Sequence, residues 1–223
     1  MSAARNPIRF LGEALAFPPP EAAGPDGLVA AGGDLSPERL MLAYRSGIFP
    51  WFNDDSLILW WSPDPRMVLF PERLKVSKSM RKTLERGDFT ITRNQAFPEV
   101  IRACARIRRK GEQGTWITRQ MEVAYNRLHR LGHAVSYEAW QGDALVGGLY
   151  GVDLGGIFCG ESMFSTVPNA SKAAFIHMVR ELSGKGYSMI DCQVYTPHLA
   201  SLGAEPIPRA DFLERLRKAL KPT

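Results

Sequence analysis

Residues 135–202 read VSYEAWQGDALVGGLYGVDLGGIFCGESMFSTVPNASKAAFIHMVRELSGKGYSMIDCQVYTPHLASL. The order of elements in this stretch decides the fold class. Val135 to Trp140 alternates as a half-buried strand does, and Ala144 to Val152 forms a second strand. Gly155-Gly156 turns the chain into a third, Ile157 to Glu161. Asn169 stands where a helix cap is expected, and the buried face of that helix carries Phe175, Met178, Val179 and Leu182. The helix stops near Gly184-Lys185-Gly186. Ser188 to Val194 is the next strand, and a short helix covers about His198 to Leu202. Hairpin, crossover helix, strand and short helix give an α/β (α+β) domain with a central mixed sheet.

Upstream, Ser77 caps a helix that Gly87 closes, Phe89 to Thr92 alternates as a strand, and Phe97 to Lys110 reads as a helix with a basic end. Thr118 caps a helix whose apolar face shows Met121, Ala124, Tyr125 and Leu128. Met67 to Phe70 is a short strand. Ser36-Pro37 opens a helix carrying Leu40, Ala43 and Tyr44 on one face, with Gly47 at its end. Phe17 to Gly33, rich in Pro, Ala and Gly, reads as irregular chain. A dense aromatic stretch follows with Phe49, Trp51, Phe52, Trp60 and Trp61, and Ser62-Pro63-Asp64-Pro65 breaks it. That break divides a small N-terminal domain, 1–65, from a larger one, 66–223.

The chain of 223 residues is 45% hydrophobic and 23% charged, enough to bury a core without metal or disulfide staples. No apolar run is long enough to span a membrane, and Met1 to Arg9 holds no signal-peptide core. A cytoplasmic protein is expected. The three cysteines, Cys104, Cys159 and Cys192, match no zinc spacing, and the four histidines show no ligand pattern, so no metal is expected. Cys159 and Cys192 sit in strand-like apolar runs, which favours inert buried thiols over a nucleophile. Dinucleotide and P-loop fingerprints are absent.

Two segments place acids among apolar residues. Phe158-Cys159-Gly160-Glu161-Ser162-Met163-Phe164-Ser165 sets Glu161 at a strand end, where it either emerges into water or faces a ligand. In Ile190-Asp191-Cys192-Gln193-Val194, the period of two puts Asp191 and Gln193 on one side of the strand. Either the two satisfy each other inside the fold, or the carboxylate orients the amide and the amide orients a substrate amine or carbonyl.

The net charge of +5 is mild. Its distribution says more. Lys75, Lys78, Arg81, Lys82 and Arg86 lie on or beside one helix, and Arg106, Arg108, Arg109 and Lys110 form a second group. A solvated face explains either group alone. Two such groups beside the loop aromatics Trp51 and Trp116 better fit a phosphate-binding surface with stacking platforms.

Several blocks resemble the leucyl/phenylalanyl-tRNA–protein transferase family. They are Gly32-Gly33-Asp34-Leu35-Ser36 with Tyr44, Gly47-Ile48-Phe49-Pro50-Trp51-Phe52, and Trp60-Trp61-Ser62-Pro63-Asp64-Pro65-Arg66. Gly114-Thr115-Trp116-Ile117-Thr118, Gly160-Glu161-Ser162-Met163-Phe164-Ser165, Ala170-Ser171-Lys172, Ile190-Asp191-Cys192-Gln193 and Ser201-Leu202-Gly203-Ala204 complete the set. They run in order from about Phe17 to Phe212. The resemblance implies a GNAT-like larger domain. It also implies transfer of Leu or Phe, with Met also admitted, from aminoacyl-tRNA to the free amine of proteins beginning with Arg or Lys, which marks them for degradation. The ester is already activated, so no cofactor is implied.

The resemblance also implies a donor pocket at Leu149, Phe158, Met163, Phe175 and Ile190, with Ser162, Tyr44 and Tyr125 as further substrate-binding residues. Trp51 and Trp116 would stack near the terminal adenosine, and Lys78, Arg81, Lys82 and Arg86 would contact the tRNA backbone. The catalytic expectation is that Asp191 polarises Gln193, that the Gln193 amide oxygen accepts from the attacking amine, and that Glu161 holds a charged or amino group of substrate. The competing expectation is an acetyl-coenzyme-A-dependent N-acetyltransferase. Against it, Phe164-Ser165-Thr166-Val167-Pro168-Asn169 lacks a glycine-spaced cradle, and Pro168 removes an amide donor. A tRNA-binding module without catalysis leaves Glu161, Asp191 and Gln193 unexplained.

Overall fold

The computed structural model describes residues 8–53, 56–107 and 117–220. The chain begins with β1 (Phe10–Leu11), β2 (Leu28–Gly32), α1 (Pro37–Arg45), β3 (Phe49–Pro50) and β4 (Leu59–Trp61). There follow β5 (Arg66–Leu69), α2 (Lys78–Glu85), β6 (Thr90–Arg93), α3 (Phe97–Arg106) and α4 (Arg119–Arg130). The last part is β7 (Ala134–Gln141), β8 (Ala144–Asp153), β9 (Ile157–Ser165), α5 (Ala170–Gly184), β10 (Met189–Gln193), α6 (Pro197–Ser201), β11 (Glu205–Ile207) and α7 (Arg209–Ala219).

Hydroxyl side chains start three helices as their sequence suggests. Ser36 accepts from the Arg39 amide, Ser77 from Met80 and Thr118 from Met121. The expected Asn169 cap is corrected. Asn169 stands at the N-cap in a left-handed conformation, φ 72°, and its side chain makes no capping bond. Ser165 does that work: its hydroxyl accepts the Ser171 N–H at 3.2 Å and donates to the Val167 carbonyl at 2.8 Å. Helix α3 also stops earlier than expected, with Ile107 already extended.

Two sheets form. The smaller has the order β1-β2-β4-β3, so the stretch Phe17–Gly33, expected to be irregular, contributes the strand β2. The larger has the order β11-β5-β10-β9-β8-β7-β6. It is a mixed sheet: β9 and β10 are parallel, joined by α5, and the other neighbours are antiparallel.

Alternation along the strands sorts the core into two faces. On one, Leu149, Phe158 and Ile190 pack with Phe175, Met178 and Val179 of α5. On the other, Tyr150, Val152, Cys159 and Met189 pack with residues of α3, α4 and α7. This second layer continues into Tyr44, Phe49 and Trp60, so one core runs across the two sheets. Gly47 and Gly147 are among the glycines that permit close approaches. Gly47 has φ 77°, and a Cβ there would lie 2.5 Å from Leu213 of α7. A Cβ on Gly147 would lie 2.6 Å from Ala170, where the first turn of α5 crosses β8.

Candidate active site

Strands β9 and β10 pair only over Met189–Asp191 and Ile157–Cys159. Beyond that point they part, because each carries an irregularity. Between Gly160 and Ser162, which face Gly151 and Tyr150 of β8, Glu161 has no partner across the ladder. Cys192 likewise falls between Asp191 and Gln193, which face Val68 and Met67 of β5. Such bulges end pairing and re-aim side chains. Gln193 completes the break with φ 64°, a left-handed conformation uncommon outside glycine.

A cleft of about 930 Å³ opens where the strands part. Its walls bring together Leu149, Phe158, Met163, Phe175 and Ile190, with Ser162 among them. Trp51 stands at the same cleft, half exposed, edge-on to Trp61 at 6.1 Å. Trp116, together with Arg108, Arg109 and Lys110, lies outside the described residues. Tyr44 and Tyr125 do not line the cleft. Each is fully buried behind it, because the apolar faces of α1 and α4 turn them into the core.

Those tyrosines instead hold Glu161. The Tyr44 and Tyr125 hydroxyls are hydrogen-bonded to each other, and Tyr125 donates to Glu161 Oε2 at 3.0 Å. Burial and the facing Glu161 carboxylate keep both phenols well above their ordinary range, so both remain proton donors. The other carboxylate oxygen, Oε1, accepts from Gln193 Nε2 at 2.7 Å. Glu161 is 8% exposed and Gln193 7%, and both form part of the cleft wall. Burial pushes the Glu161 carboxyl up to about 7 from its usual 4.5. Hydrogen bonds from the tyrosines and Gln193 pull against that rise, and the nearby Asp191 charge adds to it. A carboxyl poised near neutrality in a cleft is suited to acid–base work.

The expectation that Asp191 polarises the Gln193 amide is corrected. The bulge at Cys192 breaks the period of two on which it rested. Asp191 instead makes a two-pronged ion pair with Arg66, Nε to Oδ1 at 2.8 Å and Nη2 to Oδ2 at 2.6 Å. It also accepts the backbone N–H of Gln193 at 2.9 Å. The carboxylate that grips the Gln193 side chain is Glu161. The one hint of Arg66's role in the sequence is its place at the head of the apolar run Met67-Val68-Leu69-Phe70, where a lone Arg needs a buried anion.

Cys192 lines the cleft, but burial and the Asp191 charge push its thiol far up, as burial does for Cys159. Neither is a ready nucleophile. His198 also lines the cleft, and its Nε2 has no hydrogen-bond partner among the described residues. Burial and Lys172 hold its pKa below the usual value, so the ring is neutral near pH 7. Lys78, Arg81, Lys82 and Arg86 all stay exposed while Met80 and Thr83 turn inward. Arg86 pairs with Asp88, which leaves Lys78, Arg81 and Lys82 as the less engaged cations. Among the described residues, no helix is long and apolar enough to cross a membrane.

Comparisons with known proteins converge on one family. Residues 68–217 match the family described as leucyl/phenylalanyl-tRNA protein transferase, and residues 33–64 match the N-terminal domain of the same family. The chain is 59% identical to the leucyl/phenylalanyl-tRNA–protein transferase of Anaeromyxobacter sp. (strain Fw109-5), over 94% of this chain and 89% of that protein. It is 55% identical to the Flavobacterium johnsoniae protein of the same name, over 93% and 98%. Among solved structures, L-PGS from Bacillus licheniformis is similar at 14% identity and a TM-score of 0.43, over 73% of this chain and 54% of that one. A GCN5-related N-acetyltransferase from Kribbella flavida is similar at 10% and 0.37, over 74% and 59%, and neither is near enough to argue from. With identity above one half along nearly its whole length, the chain belongs to the leucyl/phenylalanyl-tRNA–protein transferases, a family of aminoacyltransferases.

Proposed function

We propose that the cleft between β9 and β10 takes the aminoacylated 3′ end of a tRNA and passes its Leu, Phe or Met to the α-amine of a protein beginning with Arg or Lys. The product carries a new amino terminus that marks it for degradation in the cytoplasm. In this reading the two parts, 1–65 and 66–223, act together, with Trp51 of the first standing over the cleft of the second. The observation that carries it is the bonded pair Glu161–Gln193 in the wall of an apolar cleft. An apolar wall suits the donor side chain, and the polar pair suits the reacting groups.

The chemistry asks little of the protein. An α-amine has an ordinary pKa of roughly 7.7–8.0, so a useful fraction is neutral near pH 7. Nitrogen attacks the ester carbonyl, the bond to the ribose oxygen breaks, and the proton leaving nitrogen ends on that oxygen. With Nε2 engaged by Glu161, the Gln193 amide oxygen is the end free to accept from the attacking amine. Ionised Glu161 strengthens that oxygen as an acceptor, and Tyr125 steadies Glu161. The protein therefore supplies orientation and a polarised acceptor. Asp191 acts from beneath, through the Gln193 backbone.

The acetyl-coenzyme-A reading loses ground at the start of α5. The Ala170 amide is given to the Val167 carbonyl and the Ser171 amide to Ser165 Oγ, so these donors are spent within the chain. The test is direct: incubate the protein with Phe-tRNA and an Arg-starting peptide, with no other additions, and follow the peptide by mass. A gain of one Phe residue is expected. An unchanged peptide, with acetylation appearing on addition of acetyl-coenzyme A, would replace this reading with the other.

A further inference from the structure

We propose that Arg66 is a positioning residue for aminoacyl transfer: its fork on Asp191 fixes the backbone turn at Gln193 and thereby aims the Gln193 amide into the cleft. The proposal rests on the reading of Glu161 and Gln193 as the reacting pair. Arg66 itself does not line the cleft. It heads β5, next to β10, and both it and Asp191 are 1% exposed. Its guanidinium carbon lies over two rings, 4.8 Å from the Phe49 centroid and 4.5 Å from that of Phe212. Phe49 belongs to the smaller sheet and to the cleft wall, and Phe212 to α7. Contact with both rings, as well as with its anion, restrains the guanidinium.

Asp191 Oδ1 then carries two bonds, from Arg66 Nε and from the Gln193 amide. A non-glycine residue at φ 64° is held only where its surroundings determine it. Here the amide is held through Asp191 and the side chain through Glu161. Arg66 controls the first hold. A planar fork fixes both carboxylate oxygens, whereas an ammonium in its place would supply charge without orientation. Loss of orientation loosens the Gln193 turn and swings the amide away from the amine, while the tRNA-binding surface is untouched.

The test is Arg66→Lys, read by single-turnover transfer from Phe-tRNA to an Arg-starting peptide and by hydrogen exchange across residues 189–196. At saturating tRNA the rate should fall roughly 10- to 100-fold, as small misplacements of a reacting group do. The tRNA Kd should stay within about threefold of the parent, so the loss falls on kcat and not on binding. Exchange at the Gln193 amide should speed up by about tenfold or more. Should Arg66→Lys not fold, the double variant Arg66→Gln with Asp191→Asn leaves no buried charge alone and takes the same readouts. A folded variant with parental rate, or with parental protection at Gln193, overturns the proposal. If the parent protein transfers nothing, the transfer reading fails instead, and Gln193 exchange still decides whether Arg66 holds the turn.

Discussion

Where β9 and β10 are paired, and a short step beyond where they part, the molecule buries two carboxylates in opposite ways. Asp191 sits on the paired side with Arg66 clamped across it, and its role is to hold backbone. Glu161 sits at the parting, where among the described residues its hydrogen-bond donors are neutral: Tyr125, backed by Tyr44, and the Gln193 amide. A buried anion with a guanidinium fork is compensated in place, so it serves as structure. One given only neutral partners is compensated in part, and its affinity for a proton rises toward neutrality. Two bulges thus separate a structural acid from a chemically poised one within a few ångströms of sheet.

The contrast predicts unequal stability effects. Asp191→Ala strands the buried Arg66 charge and should cost about 3–5 kcal/mol, measured by urea unfolding at pH 7.5. Glu161→Gln leaves no charge stranded and should be close to neutral or stabilising at that pH. A cost below about 1 kcal/mol for Asp191→Ala would mean that the ion pair does not hold this region, and the comparison would collapse.

A second difference appears with pH. The folded Glu161 carboxyl titrates at about 7 and the unfolded one near 4.5, so between these values only the folded state holds the proton. Stability is then complete below 4.5 and falls as pH rises, by ~1.4 kcal/mol per unit and roughly 3 kcal/mol in all, levelling above 7. Glu161→Gln should remove this share of the slope. Unfolding free energies at pH 5 and pH 7.5 for both proteins measure it, and equal slopes would show that Glu161 is not the poised group.

These carboxylates also mark where the sequence stops being legible. The order β7, β8, β9, α5, β10 was readable because long apolar periodicities leave few alternatives, and the pocket residues lie on those periodic faces. The smaller sheet was not readable: its strands have two to five residues, too few to show alternation, and β2 lies in a Pro- and Gly-rich stretch. Asp191 and Gln193 stand out as polar residues in an apolar run, but their mutual geometry does not follow from the strand period. A bulge is one extra residue, and nothing in Ile190-Asp191-Cys192-Gln193 announces it. Arg66 is 125 residues from Asp191, so only folding reveals the pair. Tyr44 and Tyr125, expected at the substrate, stand one layer behind the cleft wall, because the core of α1 and α4 claims their rings.

Activity should resolve the poised side further. Gln193→Ala removes the proposed acceptor while leaving the proposed tRNA surface on α2 intact, so single-turnover transfer should slow by ~10- to 100-fold at unchanged tRNA affinity. Tyr125→Phe deletes a donor to ionised Glu161 and should move the pH–rate limb near 7 upward by up to about one unit. Parental rates for Gln193→Ala would leave the RNA to supply its own chemistry. An unmoved limb in Tyr125→Phe would place the titration on the attacking amine alone.

The smallest effects belong to charges that the fold leaves in water. Lys78, Arg81 and Lys82 project from α2, which turns Met80 inward against Ala173 and Ile176 of α5. Removing exposed cations should change stability by no more than about 0.5 kcal/mol. On the proposal that α2 meets the tRNA backbone, their consequence lies in salt dependence, because each phosphate contact releases condensed counterions. Lys78→Ala with Lys82→Ala should weaken all charged tRNAs alike and reduce the slope of log K against log salt by about one to two. Arg86→Ala should do less, because Asp88 already neutralises that guanidinium. Affinities for Leu- and Phe-tRNA between 50 and 200 mM salt, roughly the range over which such contacts respond, give both quantities. A loss confined to one tRNA would make α2 a reader of sequence, whereas an equal loss with an unchanged salt slope would remove it from the phosphate surface altogether.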